Sequence, residues 1–152
     1  MNTTTTLDLL LEQAERERDA ARAALQRAEL GRQQADGQAE QLVSYRRQSL
    51  QRWGAQPGRT GDAAMLHCVH AFMQRLDQAS AQQQRQCDLS ARQVDQARRA
   101  LQRTELRVAA VAKLQQRRRK AAAAQHERRE QKQLDEAAQR TVWASRADAS
   151  SH

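Results

Sequence analysis

Residues 53–62 read WGAQPGRTGD, and this stretch decides the fold. It contains the only proline of the chain, Pro57, and three of its five glycines, Gly54, Gly58 and Gly61. Proline and glycine interrupt helices and favour turns. Because no comparable cluster of helix breakers occurs elsewhere in the sequence, we predict a single chain reversal here, between two helical arms.

The composition favours long helices over a compact globular core. Only 3% of the 152 residues are aromatic, and many of the hydrophobic residues are alanine. A globular core takes most of its buried area from large apolar side chains. The chain is instead rich in Ala, Gln, Arg, Glu and Leu, which are the best helix formers. We therefore predict an all-α fold.

The first arm carries a series of residues with the alternating spacing of four and three that is typical of a coiled-coil seam. Most members of the series are Leu or Ala, and the aliphatic parts of its arginines can cover apolar surface. The series is Leu7, Leu11, Ala14, Arg18, Ala21, Leu25, Ala28, Arg32, Ala35, Ala39, Leu42, Arg46, Ser49 and Trp53.

The second arm carries two such series, which are out of step with each other. We predict that the heptad shifts by a stutter within the Gln-rich stretch Gln82–Gln86. The first series is Met65, Val69, Phe72, Leu76 and Ala79, and the second is Cys87, Ser90, Val94, Ala97, Leu101, Thr104, Val108 and Val111.

The pattern as a whole predicts a long antiparallel two-helix coiled-coil hairpin with a longer second helix. Folding about residue 58 places Leu7 near residue 109, so we expect no partner within the chain for residues after about Val111.

The predicted parts are a first coiled-coil arm at 1–53, a turn at 54–61, a second arm at 62–116, and an unpaired basic helical tail with a frayed C-terminus at 117–152.

The charge of the chain is strongly basic, with a formal net charge of +8 and a pI of about 10.9. Such a balance favours an anionic partner, which can be nucleic acid, a membrane surface or an acidic protein. The run Arg117–Lys120 lacks base-stacking aromatics, and four acidic residues dilute the eight basic ones between Arg117 and Arg140. We therefore expect either a solvated helix face or a basic protein-docking surface here, and no nucleic-acid binding.

No motif for catalysis is present in the sequence. There is no Gly-rich phosphate loop and no nucleophile elbow, and a two-helix rod has no enclosed pocket. His67, Cys68 and His70 lack a fourth ligand for a structural zinc site. Cys68 and Cys87 are roughly 28 Å apart if both lie on one helix, too far for a disulfide. We expect no enzyme activity, no cofactor and no metal.

The sequence also lacks a signal peptide pattern and an apolar run long enough to span a membrane. We expect a cytoplasmic protein without membrane insertion.

Two short stripes near the turn have the same spacing on the two arms. Folding about residue 58 sets them face to face, with the only tyrosine close to the only phenylalanine. Two interpretations remain open: the side chains fill the coiled-coil seam, or some of them form an outer apolar patch that docks a partner. The stripes are Gln38, Leu42 and Tyr45 on the first arm, and Phe72, Leu76 and Ala79 on the second.

These stripes, the unequal arms and the stretch QKQLDEAAQR at residues 131–140 resemble the FliJ family, coiled-coil components of the bacterial flagellar type III export apparatus. The resemblance covers nearly the whole chain. It implies that the six stripe residues bind the export gate FlhA. Two positions that continue the stripes depart from the family pattern: Ser49 stands where an aromatic is common, and Gln83 stands where histidine is expected.

The resemblance further implies a non-catalytic, monomeric central stalk in the hexameric ring of the export ATPase FliI. The other implied partners are the ATPase regulator FliH and export chaperones, with a peripheral location at the cytoplasmic face of the inner membrane. The residues expected to contact the ATPase or chaperones are Arg117, Arg118, Arg119, Gln131, Leu134, Asp135, Glu136 and Arg140.

Three alternatives remain open. The chain could be the equivalent stalk of a virulence injectisome. It could be a basic helical protein that binds nucleic acid or a membrane surface. It could also be a generic coiled-coil scaffold that dimerises through its unpaired tail.

Overall fold

The computed structural model describes residues 3–54 and 63–151. It contains two α-helices in this part of the chain, α1 at Thr3–Gly54 and α2 at Ala63–Ser150, and no strand. The predicted all-α hairpin with a longer second helix is confirmed. The residues predicted to form the reversal itself, with Pro57 at their centre, lie outside the described residues apart from Gly54.

The contacts divide the chain into two units. One comprises Met1–Glu15 and Leu106–His152, and the other comprises Arg16–Glu105. In the Arg16–Glu105 unit, Arg46 contacts Asp77, and Ala35, earlier on α1, contacts Cys87, later on α2. A residue earlier on α1 thus contacts a residue later on α2, which shows that the two helices run antiparallel.

The predicted seam agrees closely with the burial of the side chains. On α1, eleven of the fourteen seam positions are buried or half-buried, and all eight positions from Cys87 to Val111 are so on α2. Arg32, Arg46 and Trp53 are exposed. The two arginines form ion pairs with aspartates, Arg32 with Asp36 at 3.9 Å and Arg46 with Asp77 at 3.0 Å.

The most deeply buried side chains of the Arg16–Glu105 unit are small. Val94 is fully buried, and Ser90 and Ala35 are 3% and 4% exposed. Small side chains let helix axes approach closely, but each layer then removes little apolar area from water. The stability of this hairpin therefore depends on many weak layers and on the few polar bonds between them.

The heptad shift lies earlier on α2 than we predicted. After the buried Leu76, the half-buried positions are Ser80 and Gln83, while Ala79 is exposed. Leu76 to Ser80 is thus a second consecutive step of four, which marks a stutter one turn before the predicted Gln82–Gln86. The predicted position of the stutter was wrong because it placed Ala79 in the seam, whereas Ala79 is exposed and Ser80 is half-buried.

In the unit of Met1–Glu15 and Leu106–His152, Leu7 and Ala14 are buried. The Gln115 side chain, 8% exposed, donates a hydrogen bond to the carboxylate of Asp8. Pairing therefore extends one turn beyond Val111, where we had predicted it to end, because the helices pair about a point later in the chain than residue 58.

The rest of α2 carries only exposed side chains. Every described residue from 116 to 151 is exposed, and helical geometry continues to Ser150. Neither of the described helices includes an apolar stretch of the length that a membrane crossing requires.

Candidate docking surfaces

An aromatic pair joins α1 and α2 close to their connected ends. The ring centroids of Tyr45 and Phe72 are 6.1 Å apart and the ring planes meet at 71°. This edge-to-face arrangement places the positive edge of one ring against the negative face of the other, and contributes about 0.5–1.5 kcal/mol beyond area burial. Tyr45 is 51% exposed while Phe72 is half-buried, so one side of the pair faces solvent.

The six residues predicted to bind the export gate have different environments. Leu76 is buried in the seam, so a partner cannot reach it while the hairpin is closed. The half-buried members are Leu42 and Phe72. The exposed members are Gln38, Tyr45 and Ala79. The stripes thus fill the seam in part and are exposed in part.

The two positions that depart from the family pattern are directed into the seam. Ser49 is 8% exposed. The side-chain amide of Gln83 donates to the carbonyl oxygen of Ala35 at 2.9 Å and to Oε1 of Gln38 at 3.2 Å. Neither Ser49 nor Gln83 therefore enlarges the exposed surface around Tyr45.

A shallow groove runs along α1 and α2 at the same level of the hairpin, and sequence reasoning missed it. Val43 is 55% exposed and Leu50 is 47% exposed. The signal in the sequence was their seven-residue spacing outside the seam. The groove is lined by Val43, Arg46, Arg47, Leu50, Asp77 and Ser80.

An ion pair joins α1 and α2 at the edge of this groove. Nε of Arg46 donates to Oδ1 of Asp77 at 3.0 Å, with both side chains about half exposed. A solvent-exposed pair of this kind contributes about 0–1 kcal/mol to stability. Its main effect is to fix where the two charges lie at the edge of the groove.

The residues predicted to contact the ATPase or chaperones all lie on the exposed part of α2. No ion pair joins any residue of the run Arg117–Lys120 to another residue in the described ranges. Further along, Arg140 and Glu136 are 3.9 Å apart at a spacing of one turn. Trp143, which sequence reasoning did not select, lies beside this pair and is 72% exposed.

The two cysteines differ in accessibility, and both are free thiols. Burial, followed by the effects of the neighbouring Asp36 and Asp88 carboxylates, raises the pKa of the Cys87 thiol above its ordinary value. Cys68 is exposed. No three metal-ligating side chains converge within the ranges that the structure describes.

Together these features define an all-α coiled-coil protein with exposed surfaces on both helices. The family model described as "Flagellar FliJ protein" matches residues 3–147. The chain therefore belongs to the FliJ family and is a component related to flagellar export. No curated protein and no solved structure matches it.

Proposed function

We propose that this protein is the central stalk of the export ATPase ring, that it links the ring to the export gate, and that it binds export chaperones. The observation that carries the proposal is the family match over residues 3–147, on a fold of two antiparallel helices. The protein acts without catalysis of its own. It works in the cytoplasm, peripherally at the inner membrane.

The exposed part of α2 supports a place inside or against the ring of FliI. Its side chains from residue 116 to 151 are exposed in the structure, and it carries no large apolar stripe. A polar surface of this kind contacts a ring without the tight, area-driven binding that would lock it. The Arg117–Lys120 run, which makes no ion pair with the residues that the structure describes, supplies positive charge for acidic groups of the ring, of FliH or of chaperones.

The solvent-facing side of the Tyr45–Phe72 pair, which we call the aromatic edge, supports contact with FlhA. Tyrosine is one of the residue types enriched at the positions that dominate binding energy in protein interfaces. Tyr45 is held by Phe72 at 6.1 Å and loses little side-chain freedom on docking. Within the predicted set, we assign the direct contacts to the exposed Gln38, Tyr45 and Ala79, and a supporting role to the buried Leu76.

ATP hydrolysis by FliI, with and without this protein, tests the stalk proposal. We expect stimulation by the full chain, and its loss when the chain is ended after Gln116. Replacement of Arg117, Arg118 and Arg119 by glutamine separates the contribution of charge from that of helix length. The matched control replaces Arg146, an exposed arginine outside the run. Absence of stimulation, with a FliI preparation shown to form active rings, contradicts the proposal.

Binding to the cytoplasmic domain of FlhA tests the gate contact. We expect Tyr45→Ser to weaken binding about tenfold, equal to a loss of about 1.4 kcal/mol. Val43→Ser, two residues away on a different side of α1, is the control. Leu76→Ala is unsuitable because it would unpack the seam. Equal affinity of the wild type and Tyr45→Ser would remove this surface from the proposal.

The basic run also supports a second candidate, binding to an anionic surface. Four consecutive basic residues without an ion pair in the described structure favour it. Its signature is affinity for nucleic acid or anionic vesicles that falls steeply between two salt concentrations. Strong, salt-sensitive binding without any effect on FliI activity would favour this candidate over the stalk.

A further inference from the structure

We propose that the groove lined by Val43, Arg46, Arg47, Leu50, Asp77 and Ser80 binds an acidic amphipathic α-helix of a partner protein. The groove is separate from the aromatic edge and from the basic run. The proposal therefore goes beyond the gate and ATPase contacts and does not depend on them.

The apolar part of the groove has the spacing of a helix-binding site. Val43 and Leu50 are seven residues apart on α1, which is about two turns and roughly 10.5 Å along the axis. Both are about half exposed although they are large apolar residues. An incoming helix with apolar residues at heptad spacing can pack against both and bury them.

The stutter on α2 explains why this apolar surface is uncovered. The half-buried position after Leu76 is Ser80, whose side chain is small. A leucine there would cover more of α1, whereas serine leaves room beside Val43 and Leu50. The same feature of α2 that shifts the heptad thus opens the groove to a third helix.

The charges around the groove select an acidic partner. The carboxylate of Asp77 is already paired with Arg46 at 3.0 Å. Arg47 is exposed and makes no ion pair with another residue that the structure describes. A partner helix with glutamates beside its apolar stripe would pair with the remaining positive charge, while a basic helix would be repelled.

The groove and the aromatic edge can be occupied at the same time. Val43 and Tyr45 are two residues apart on one helix, so their side chains are separated by about 200° around its axis. A ligand in the groove therefore approaches α1 from nearly the opposite direction to a ligand at Tyr45.

Designed peptides test the proposal directly. The probe is a fluorescein-labelled 21-residue helix, about three heptads long, with Leu at the a and d positions and Glu at the e and g positions. The comparison peptide has Lys in place of Glu. Fluorescence anisotropy with the full chain should show binding of the acidic peptide and at least tenfold weaker binding of the basic one. Leu50→Ser and Arg47→Glu should each reduce the affinity for the acidic peptide about tenfold.

Gln41→Ser is the matched control, since it changes an exposed side chain of α1 on the side away from Val43, and its affinity should equal that of the wild type. Thermal melts by circular dichroism establish that each variant is folded. Equal affinity of folded Leu50→Ser and wild type would overturn the proposal, as would preference for the basic peptide. A wild-type dimer that Leu50→Ser converts to a monomer in sedimentation would also overturn it, because a second copy would then occupy the groove.

Discussion

The thiol of Cys87 on α2 donates a hydrogen bond to the carbonyl oxygen of Ala35 on α1, at a distance of 3.3 Å. Gln83, one turn earlier on α2, donates to the same oxygen at 2.9 Å. Two donors from one helix thus converge on a single acceptor of the other. Because the surrounding seam is built from small side chains, these directional bonds do much to fix which residues face each other.

Replacement of Gln83 should therefore lower the free energy of unfolding by more than replacement of a glutamine on a helix surface would. Gln83→Ala removes the bonds to Ala35 and to Gln38, and we expect a loss of about 1 kcal/mol in the free energy of unfolding. Urea unfolding followed by circular dichroism measures it. Gln84→Ala, a neighbouring exposed glutamine, is the control and should change stability little. Equal effects of the two substitutions would contradict the role of Gln83.

The two cysteines should differ sharply in reactivity towards a thiol reagent at neutral pH. Cys68 is exposed and should react at once, whereas Cys87 should react only when the hairpin opens. Burial raises the pKa of the Cys87 thiol, so the neutral form is favoured in the folded state. Mass spectrometry of partly alkylated protein checks this order. Reaction of Cys87 as fast as Cys68 in the folded protein would show that the seam is open.

The same raised pKa predicts a stability change in alkaline solution. The contribution of the neutral Cys87 thiol is fully present below the pKa that the thiol has in the unfolded chain. It is lost as pH rises through the higher pKa of the folded state, in the range above about pH 8.5. The decrease in stability should be smaller in Cys87→Ala than in the wild type. Urea unfolding at a series of pH values measures the difference.

The bond between Gln115 and Asp8 should stabilise the start of α1. Asp8→Ala leaves the buried amide of Gln115 without this partner, which should cost about 1–3 kcal/mol. Glu12→Ala, at an exposed position one turn later, is the control. Hydrogen exchange of the first turns of α1 reports the effect locally. Unchanged protection there in Asp8→Ala would show that the bond has no stabilising role.

Two glycines in the interior of α1 should be replaceable with a gain in stability. A Cβ atom added at Gly31 or at Gly37 would meet nothing within 4 Å apart from its chain neighbours and the adjacent backbone of its own helix. Alanine lowers the conformational entropy of the unfolded chain, so each substitution should stabilise the protein by about 0.5–1 kcal/mol. Thermal unfolding measures the gain. A loss of stability at either site would mean that the helix must bend there.

Much of this fold could be predicted from the spacing of apolar residues alone. Cys87, Val94 and Leu101 follow the heptad and lie in the seam, as expected. The predictions failed at Ala79, which is exposed, and at Gln115, whose buried side chain lies beyond Val111 because a specific acceptor on α1, Asp8, satisfies it. Residue type and spacing do not reveal such an acceptor, since its position depends on the exact register of the helices.

The candidate surfaces were harder to predict for a related reason. Tyr45 was correctly paired with Phe72, but the sequence did not show that Leu76 is buried while Ala79 is exposed. That difference follows from the position of the stutter. The groove at Val43 and Leu50 lies at the same level, and Ser80 of α2, the half-buried position after Leu76, lines it.

The stutter at Leu76–Ser80 also affects how the two helices wind. A strict seven-residue repeat makes a pair of helices coil around each other in the left-handed sense, and an insertion of four residues relaxes that winding locally. Beside Ser80, α1 and α2 should therefore run closer to straight than an uninterrupted heptad would allow. A straight third helix can follow such a segment over several turns without bending, whereas it would soon diverge from a pair that winds continuously.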